Sequence, residues 1–164
     1  MQLKHLLFCC YTIVTLFTTV TQAETPKIER RLPPHGIEIK TSERERLEAA
    51  VKSLKQEFAA IASNKNSADV EVFIKAVDFA LIHDEFYNAK DILKADRLLE
   101  EAKARLKLIA NGKRPWHRAS GLVVRGHRSS IDGSAQPYGL QIPDDVDFNK
   151  PVPLYIWLHG RGDK

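Results

Sequence analysis

The chain has 164 residues, of which 43% are hydrophobic and 28% are charged. This composition is typical of a globular protein of about one domain and excludes an intrinsically disordered chain. The formal net charge of +4 excludes the strong basic bias of a nucleic-acid-binding protein, and the presence of only two cysteines, Cys9 and Cys10, excludes a disulfide framework.

Residues 1–23 have the three-part pattern of a secretory signal peptide. Lys4 provides a positive start, Leu6 to Val20 is an uncharged run, and Thr21-Gln22-Ala23 ends in a small residue. The alternative is a membrane anchor, but the run is shorter than the ~18–20 apolar residues that span a bilayer. We therefore expect export to the periplasm or the cell exterior, cleavage after Ala23 and no stable membrane anchor. Cleavage removes both cysteines.

Residues 24–40 are charged and interrupted by prolines, which predicts an extended leader. Residues 41–114 then predict a layer of three helices, because apolar residues recur at spacings of three and four. We expect a first helix that begins at Ser42 with a capping box to Glu45. A second should run from about Asp69 to Phe86, and a third from about Asn88 to Ala110.

From Pro115 the pattern becomes that of β-structure. Gly121 to Ser129 and Gln136 to Pro143 predict the two strands of a hairpin around the turn signal Asp132-Gly133. Leu154 to Leu158 is a continuous apolar run, which predicts a central strand buried on both faces. The predicted fold class is therefore α+β going to α/β.

Two stretches resemble the opening of an α/β-hydrolase catalytic domain. Residues Ile131–Pro143 read IDGSAQPYGLQIP, and residues Pro153–Gly162 read PLYIWLHGRG. A hairpin followed by an apolar strand and His-Gly-x-Gly is similar to secreted bacterial serine hydrolases of the prolyl-oligopeptidase-like and carboxylesterase-like kind. Val70 to Phe86 and Gly121 to Ser129 are similar to the helical N-terminal region of such enzymes. The resemblance covers roughly Leu32 to Gly162, and it implies that residues 115–164 begin an incomplete hydrolase sheet.

The resemblance assigns a role to the loop after the apolar strand. Ester or amide hydrolysis builds negative charge on a carbonyl oxygen, which backbone N–H donors stabilise. In this fold one donor lies in the loop after the strand and the other follows the nucleophile. The match makes the Arg161 backbone N–H an oxyanion-hole candidate, shaped by Gly160 and Gly162, with His159 orienting the loop. The alternative is a plain turn with coincidental glycines.

The catalytic residues themselves are absent from the sequence. It contains no Gly-x-Ser-x-Gly motif, and the resemblance implies a triad beyond Lys164. We expect an N-terminal fragment of a secreted serine hydrolase, or a truncated gene product, that acts on an ester or peptide substrate only when completed. No cofactor is implied. The alternative is a non-catalytic exported helical interaction module with vestigial strands, and the sequence leaves the oligomeric state open.

Three further features have simpler interpretations. His83-Asp84-Glu85 could suggest a metal site, but adjacent helix residues point in different directions, so we expect none. The basic segment from Lys113 to Arg128 is expected to be a solvated surface facing the acidic loop Asp144–Asp147, with an acidic substrate or envelope polymer as the alternative partner. Export argues against a nucleic-acid role. Trp116 and Trp157 are expected in the core.

Overall fold

The computed structural model describes residues 35–158 and contains three helices followed by a β-hairpin. The elements are α1 (Thr41–Phe58), α2 (Ala68–Ile82), α3 (Asp91–Ala110), β1 (Gly121–Arg128) and β2 (Ala135–Ile142), with short 3₁₀ turns at Ala59–Ile61 and Pro115–Arg118. The predicted mixture of a helical layer and a hairpin is therefore confirmed. None of the described helices is long and apolar enough to cross a membrane.

Helix α2 is the central element, because it packs against α1, α3 and both strands. It is the most buried of the three helices, with eight of its fifteen residues buried. The apolar stripes predicted from the spacing form the core: Leu47, Val51 and Leu54 on α1, Val70, Phe73, Ile74, Val77 and Leu81 on α2, and Ala95, Leu99, Ala102, Leu106 and Ile109 on α3.

The helix ends differ from the prediction. Helix α1 begins at Thr41, and its N-cap residue Lys40 makes no side-chain cap bond, so the expected capping box is not formed. Helix α2 ends four residues early, because Asp84 adopts a positive φ of 53° and reverses the chain. Phe86 then returns to the core as a separate anchor. Helix α3 begins at Asp91, whose carboxylate accepts the backbone N–H groups of the preceding turn.

The hairpin is antiparallel, with pairs running from Gly121↔Ile142 to Arg128↔Ala135. Its turn follows the Asp-Gly signal: Gly133 has a φ of +71°, which glycine adopts without strain. The Asp132 carboxylate accepts the Ser134 backbone N–H. Hydrogen bonds from that N–H and from the Ser129 and Ser134 hydroxyls lower the pKa of Asp132 to about 2.

The apolar run Leu154–Leu158 corrects one prediction. It was expected to be a buried central strand, but it has no regular structure and its side chains are 75–93% exposed. A strand is stable only when its backbone groups bond to a neighbour. Among residues 35–158 the sheet consists of β1 and β2 alone, and neither pairs with this run. Trp157 is consequently 87% exposed, whereas it was expected in the core.

Candidate functional site

The residues that the sequence singles out for chemistry lie beyond the described part of the chain. His159, Gly160, Arg161 and Gly162, the oxyanion-loop residues, follow the last described residue, Leu158. The predicted signal peptide and most of the predicted leader, residues 1–34, are also outside the described range. The site that the structure does describe is a buried polar cluster where the helical layer meets the hairpin.

Asp69 is the centre of this cluster. It lies in the first turn of α2, is 1% exposed, and accepts two short hydrogen bonds. The Trp116 indole Nε1–H donates to Oδ2 at 2.9 Å, and the Gly126 backbone N–H donates to Oδ1 at 2.8 Å. One carboxylate therefore connects α2 to the 3₁₀ turn and to β1. We call this cluster the Asp69 clasp; its members are Asp69, Arg105, Trp116, His117, Arg125 and Gly126.

Two basic side chains complete the solvent side of the clasp. Arg125 Nε lies 3.4 Å from Asp69 Oδ1, and His117 Nε2 lies 3.3 Å from Oδ2. Arg125 Nη2 is 3.0 Å from the same His117 nitrogen. An arginine N–H can only donate, so this contact requires a lone pair on His117 Nε2. The geometry thus favours a neutral imidazole that accepts from Arg125.

Arg105 closes the buried side of the clasp. Its Nη1 donates to the Val124 carbonyl at 2.7 Å, and its Nε donates to Glu101 Oε1 at 2.5 Å. The guanidinium lies 4.6 Å from the Phe73 ring centroid and 4.7 Å from that of Trp116. Cation–π contacts and charge-assisted hydrogen bonds together offset the cost of burying this cation.

The electrostatics of the clasp favour an ionised Asp69 and a neutral His117. Burial by itself raises the pKa of Asp69, but the hydrogen bonds from Trp116 and Gly126 and the charge of Arg125 outweigh burial, and the pKa lies below 3.8. The pKa of His117 lies below 6.5, because burial and the adjacent Arg125 charge both disfavour the imidazolium. Proximity to Asp69 opposes this effect without reversing it.

Local sequence explains why these groups meet. An acidic residue in the first turn of a helix is stabilised by the N-terminal end of the helix dipole, which suits Asp69. Glycine at position 126 lets β1 approach α2, because a Cβ there would lie 2.1 Å from the Ala68 carbonyl oxygen. The short turn Pro115–Arg118 directs the indole of Trp116 inward, where it is buried as expected.

The clasp joins structural elements and has no free catalytic group among the described residues. Both oxygens of Asp69 are occupied by donors, and His117 contacts a carboxylate and a guanidinium. Nucleophilic catalysis would require a hydroxyl or thiol within hydrogen-bond reach of the imidazole. No such contact to His117 is found in residues 35–158.

The basic segment differs from its prediction. It does not bond to the loop Asp144–Asp147: Arg128 instead bonds to Glu71 at 2.5 Å and to Ser67, which are on or next to α2. In the region considered for a metal site, where none was expected, Asp84 pairs with Arg44. No group of three or more potential metal ligands occurs in the described residues.

A shallow groove of about 510 Å³ lies between α1 and α2. Val51, Leu81 and Ile82 provide its apolar surface, and an ion pair between Lys55 and Asp78 at 2.8 Å borders it. None of the sequence-predicted site residues lines this groove.

Sequence reasoning missed the clasp. Asp69 was interpreted only as the start of a helix, and Arg105 was assigned no role in a site. No local signal in the sequence indicated the cluster, because an acidic residue in the first turn of a helix is already explained by the helix dipole. Comparison of the chain with protein-family models, with curated proteins and with solved structures finds no match.

Proposed function

We propose that this chain supplies the helical layer, the edge hairpin and the oxyanion loop of an exported serine hydrolase of the α/β-hydrolase superfamily. The substrate class is an ester or a peptide, cleaved by acyl transfer. The observation that carries the proposal is the exposed apolar run Leu154–Leu158, which directly precedes His159-Gly160-Arg161-Gly162. Five consecutive large apolar side chains in water favour burial in a larger sheet.

The proposed chemistry uses a backbone donor. During acyl transfer the substrate carbonyl oxygen gains negative charge, and the Arg161 N–H donates a hydrogen bond to it. Gly160 and Gly162 lack a Cβ, so the loop can approach the substrate closely. His159 orients the loop and does not act as the general base. The serine, its base and the acid come from polypeptide outside residues 1–164, because the sequence has no Gly-x-Ser-x-Gly motif.

The first experiment reads the gene beyond codon 164. An in-frame Gly-x-Ser-x-Gly within roughly 100 codons supports the proposal, since the nucleophile follows the oxyanion loop in this fold. A stop codon with no such frame overturns it. In parallel, purified residues 24–164 should not hydrolyse a p-nitrophenyl ester and should not react with a fluorophosphonate probe. Turnover by this segment alone would contradict the assignment of the nucleophile.

The second experiment isolates the backbone donor in the complete gene product. Arg161→Pro removes the N–H, whereas Arg161→Ala keeps it and removes only the side chain. Loss of one oxyanion donor lowers kcat by about 10²–10³-fold. We therefore expect a loss of this size for Arg161→Pro and near-normal kcat for Arg161→Ala. Equal losses in both variants would show that the side chain, and not the backbone donor, is required.

Export is part of the same proposal and has its own test. N-terminal sequencing of the protein recovered outside the cytoplasm should begin at Glu24, directly after the predicted cleavage site. An intact N-terminus at Met1 in a membrane fraction would favour the anchor alternative.

The second candidate function is a non-catalytic exported interaction module. It is favoured by one observation: the three helices and the hairpin share a core that does not include Leu154–Leu158. Limited proteolysis combined with the gene reading separates the two candidates. A protected core that ends near Ile142, together with a stop codon after Lys164, would favour the module.

A further inference from the structure

A second groove, of about 430 Å³, lies where the turn before α2 meets the end of α3. Two cations, two amides, a glycine and one apolar residue line it: Lys65, Arg114, Asn64, Asn66, Gly112 and Ile109. Among the described residues no acidic side chain lines this groove, whereas the groove between α1 and α2 includes Glu48 and Asp78 beside its lysines. We call it the Lys65–Arg114 groove; its lining carries positive charge only.

The two cations of the groove are unpaired within residues 35–158. Neither the Lys65 ammonium nor the Arg114 guanidinium makes an ion pair or a side-chain hydrogen bond there. Other arginines of the same basic segment do, since Arg125 contacts Asp69 and Arg128 bonds to Glu71. Arg114 is also half-buried. A cation that has lost part of its hydration favours an anionic partner.

The carbonyl groups at the end of α3 do not use these cations. Basic side chains near a helix C-terminus often bond to its last carbonyls. Here the backbone N–H groups of residues 111–113 and the side-chain amide of Asn111 donate to the carbonyls of residues 107–109. The Lys65 ammonium and the Arg114 guanidinium are therefore left available for a ligand.

Asn64 adds a neutral donor to the groove. Its Oδ1 accepts the Asn66 backbone N–H at 2.9 Å and Asn66 Nδ2 at 3.2 Å. The acceptor atom of the Asn64 amide is thus occupied, while its Nδ2 has no acceptor within the described residues. An ammonium, a guanidinium and an amide donor with no carboxylate beside them form a donor set suited to an oxyanion.

The Asp69 clasp holds both walls of the groove. The Asp69 backbone N–H donates to the Asn66 carbonyl at 3.0 Å, which fixes the wall before α2. The Asp69 carboxylate accepts the indole N–H of Trp116, which belongs to the 3₁₀ turn directly after Arg114. The His117 N–H donates to the Arg114 carbonyl at 3.1 Å. Since both walls share one anchor, the groove needs little ordering when a ligand binds.

We propose that the Lys65–Arg114 groove binds a phosphate-type dianion. Arg114 donates through its planar guanidinium, Lys65 supplies the second positive charge, and Asn64 Nδ2 donates a neutral hydrogen bond. Two unpaired cations suit a phosphate group, which carries up to two negative charges, better than a carboxylate, which carries one. The inference goes beyond the hydrolase proposal and does not depend on it, because it requires only the described residues around the groove.

Titration of the whole chain with inorganic phosphate, at constant ionic strength, tests the inference. The readout is the NMR chemical shift of each backbone amide. We expect the amides of residues 64–66 and 112–114 to shift and to saturate, and sodium chloride at the same ionic strength to leave them unchanged. Arg114→Gln should weaken binding by about tenfold or more, the usual effect of losing a hydrogen bond to a charged group.

A parallel titration with glycerol phosphate distinguishes the two sources of the same chemistry. Tighter binding of this monoester than of inorganic phosphate would assign the groove to phosphate esters, and the reverse order would assign it to free phosphate. Asn64→Asp places a carboxylate in the groove at nearly unchanged size. It should abolish binding of both probes, and unchanged binding in this variant would contradict the proposed position of the ligand.

Arg97→Gln is the matched control. Arg97 is also unpaired within the described residues, but it lines the groove between α1 and α3 together with Asp96 and Glu100. The substitution changes the net charge by the same amount as Arg114→Gln, and we expect it to leave phosphate binding unchanged. Both variants should keep the urea midpoint of the unsubstituted chain. Equal weakening in the two variants would overturn the inference in favour of attraction by net charge, as would shifts that do not saturate.

Discussion

Replacing Asp69 by alanine tests whether the clasp holds the hairpin on the helical layer. The substitution leaves α2 with a better helix former but removes the carboxylate that joins α2, the 3₁₀ turn and β1. We expect the free energy of unfolding to fall by about 3–5 kcal/mol, because two short hydrogen bonds to a buried carboxylate are lost. The hairpin should lose protection from exchange before the helices do.

The magnitude follows from the bonds that Asp69 accepts. Hydrogen bonds to a charged group contribute about 1.5–3 kcal/mol each, and two are short: 2.9 Å from Trp116 and 2.8 Å from Gly126. The Trp116 indole N–H would remain buried without a partner. The contacts from Arg125 and His117, at 3.4 and 3.3 Å, are longer and partly exposed, so they add little. The two short bonds alone therefore account for the expected loss.

Urea unfolding followed by circular dichroism measures this loss, and Asp78→Ala is the matched control. Asp78 lies on the same helix but has one ion pair, to a half-exposed Lys55. We expect a loss below about 1 kcal/mol for Asp78→Ala. Asp69→Asn should fall between the two, since the amide keeps one acceptor oxygen. A loss below about 1 kcal/mol for Asp69→Ala would refute the view that the clasp stabilises the fold.

The other predictions concern packing and pH. Gly126→Ala should lower the free energy of unfolding by about 1–3 kcal/mol, because the new Cβ would overlap the α2 backbone; Gly139→Ala, whose nearest contact is 3.8 Å away, should be nearly neutral in the same urea titration. Burial and a neighbouring guanidinium lower the folded-state pKa of His117 below 6.5, so the unfolded chain binds more protons and stability falls as the pH drops from about 7 to 5. His117→Gln should reduce this pH dependence, and equal slopes would contradict the cause. Leu47→Ala, at a fully buried site, should lose about 2–5 kcal/mol on thermal unfolding, whereas exposed Leu93→Ala should change stability by less than about 0.5 kcal/mol.

The helices and the hairpin could be predicted where a single local sequence pattern determines the element. The spacing of Leu47, Val51 and Leu54 allows only one face of α1 to be buried, and that face is the core. The Asp132-Gly133 turn placed the hairpin to within a residue at each strand. The helix ends were less predictable, because they depend on backbone turns such as the positive φ of Asp84, which no periodicity encodes.

The clasp could not be predicted, because it depends on contacts between residues distant in the chain. Asp69 meets Trp116 and Gly126 across more than forty residues. In the sequence, an acidic residue at a helix start has a sufficient local explanation, so nothing indicates burial. The prediction of a buried strand at Leu154–Leu158 was wrong for a different reason. The composition of the run favours a strand, but a strand also requires a neighbouring strand, which composition does not reveal.

Side chains of the helical layer occupy part of the outer edge of β1, and this restricts where the hairpin can lie in a larger sheet. Asp69 bonds to the Gly126 N–H and Arg105 to the Val124 carbonyl, two backbone groups of β1 that point away from β2. A further strand cannot pair with these groups without displacing both side chains. The middle of the β1 edge is therefore occupied, and a further strand meets less hindrance on the outer edge of β2. A hairpin with one closed side belongs at the end of a sheet and not at its centre. An edge position of the hairpin is also what the hydrolase resemblance of the sequence implies, and that relationship stays a prediction.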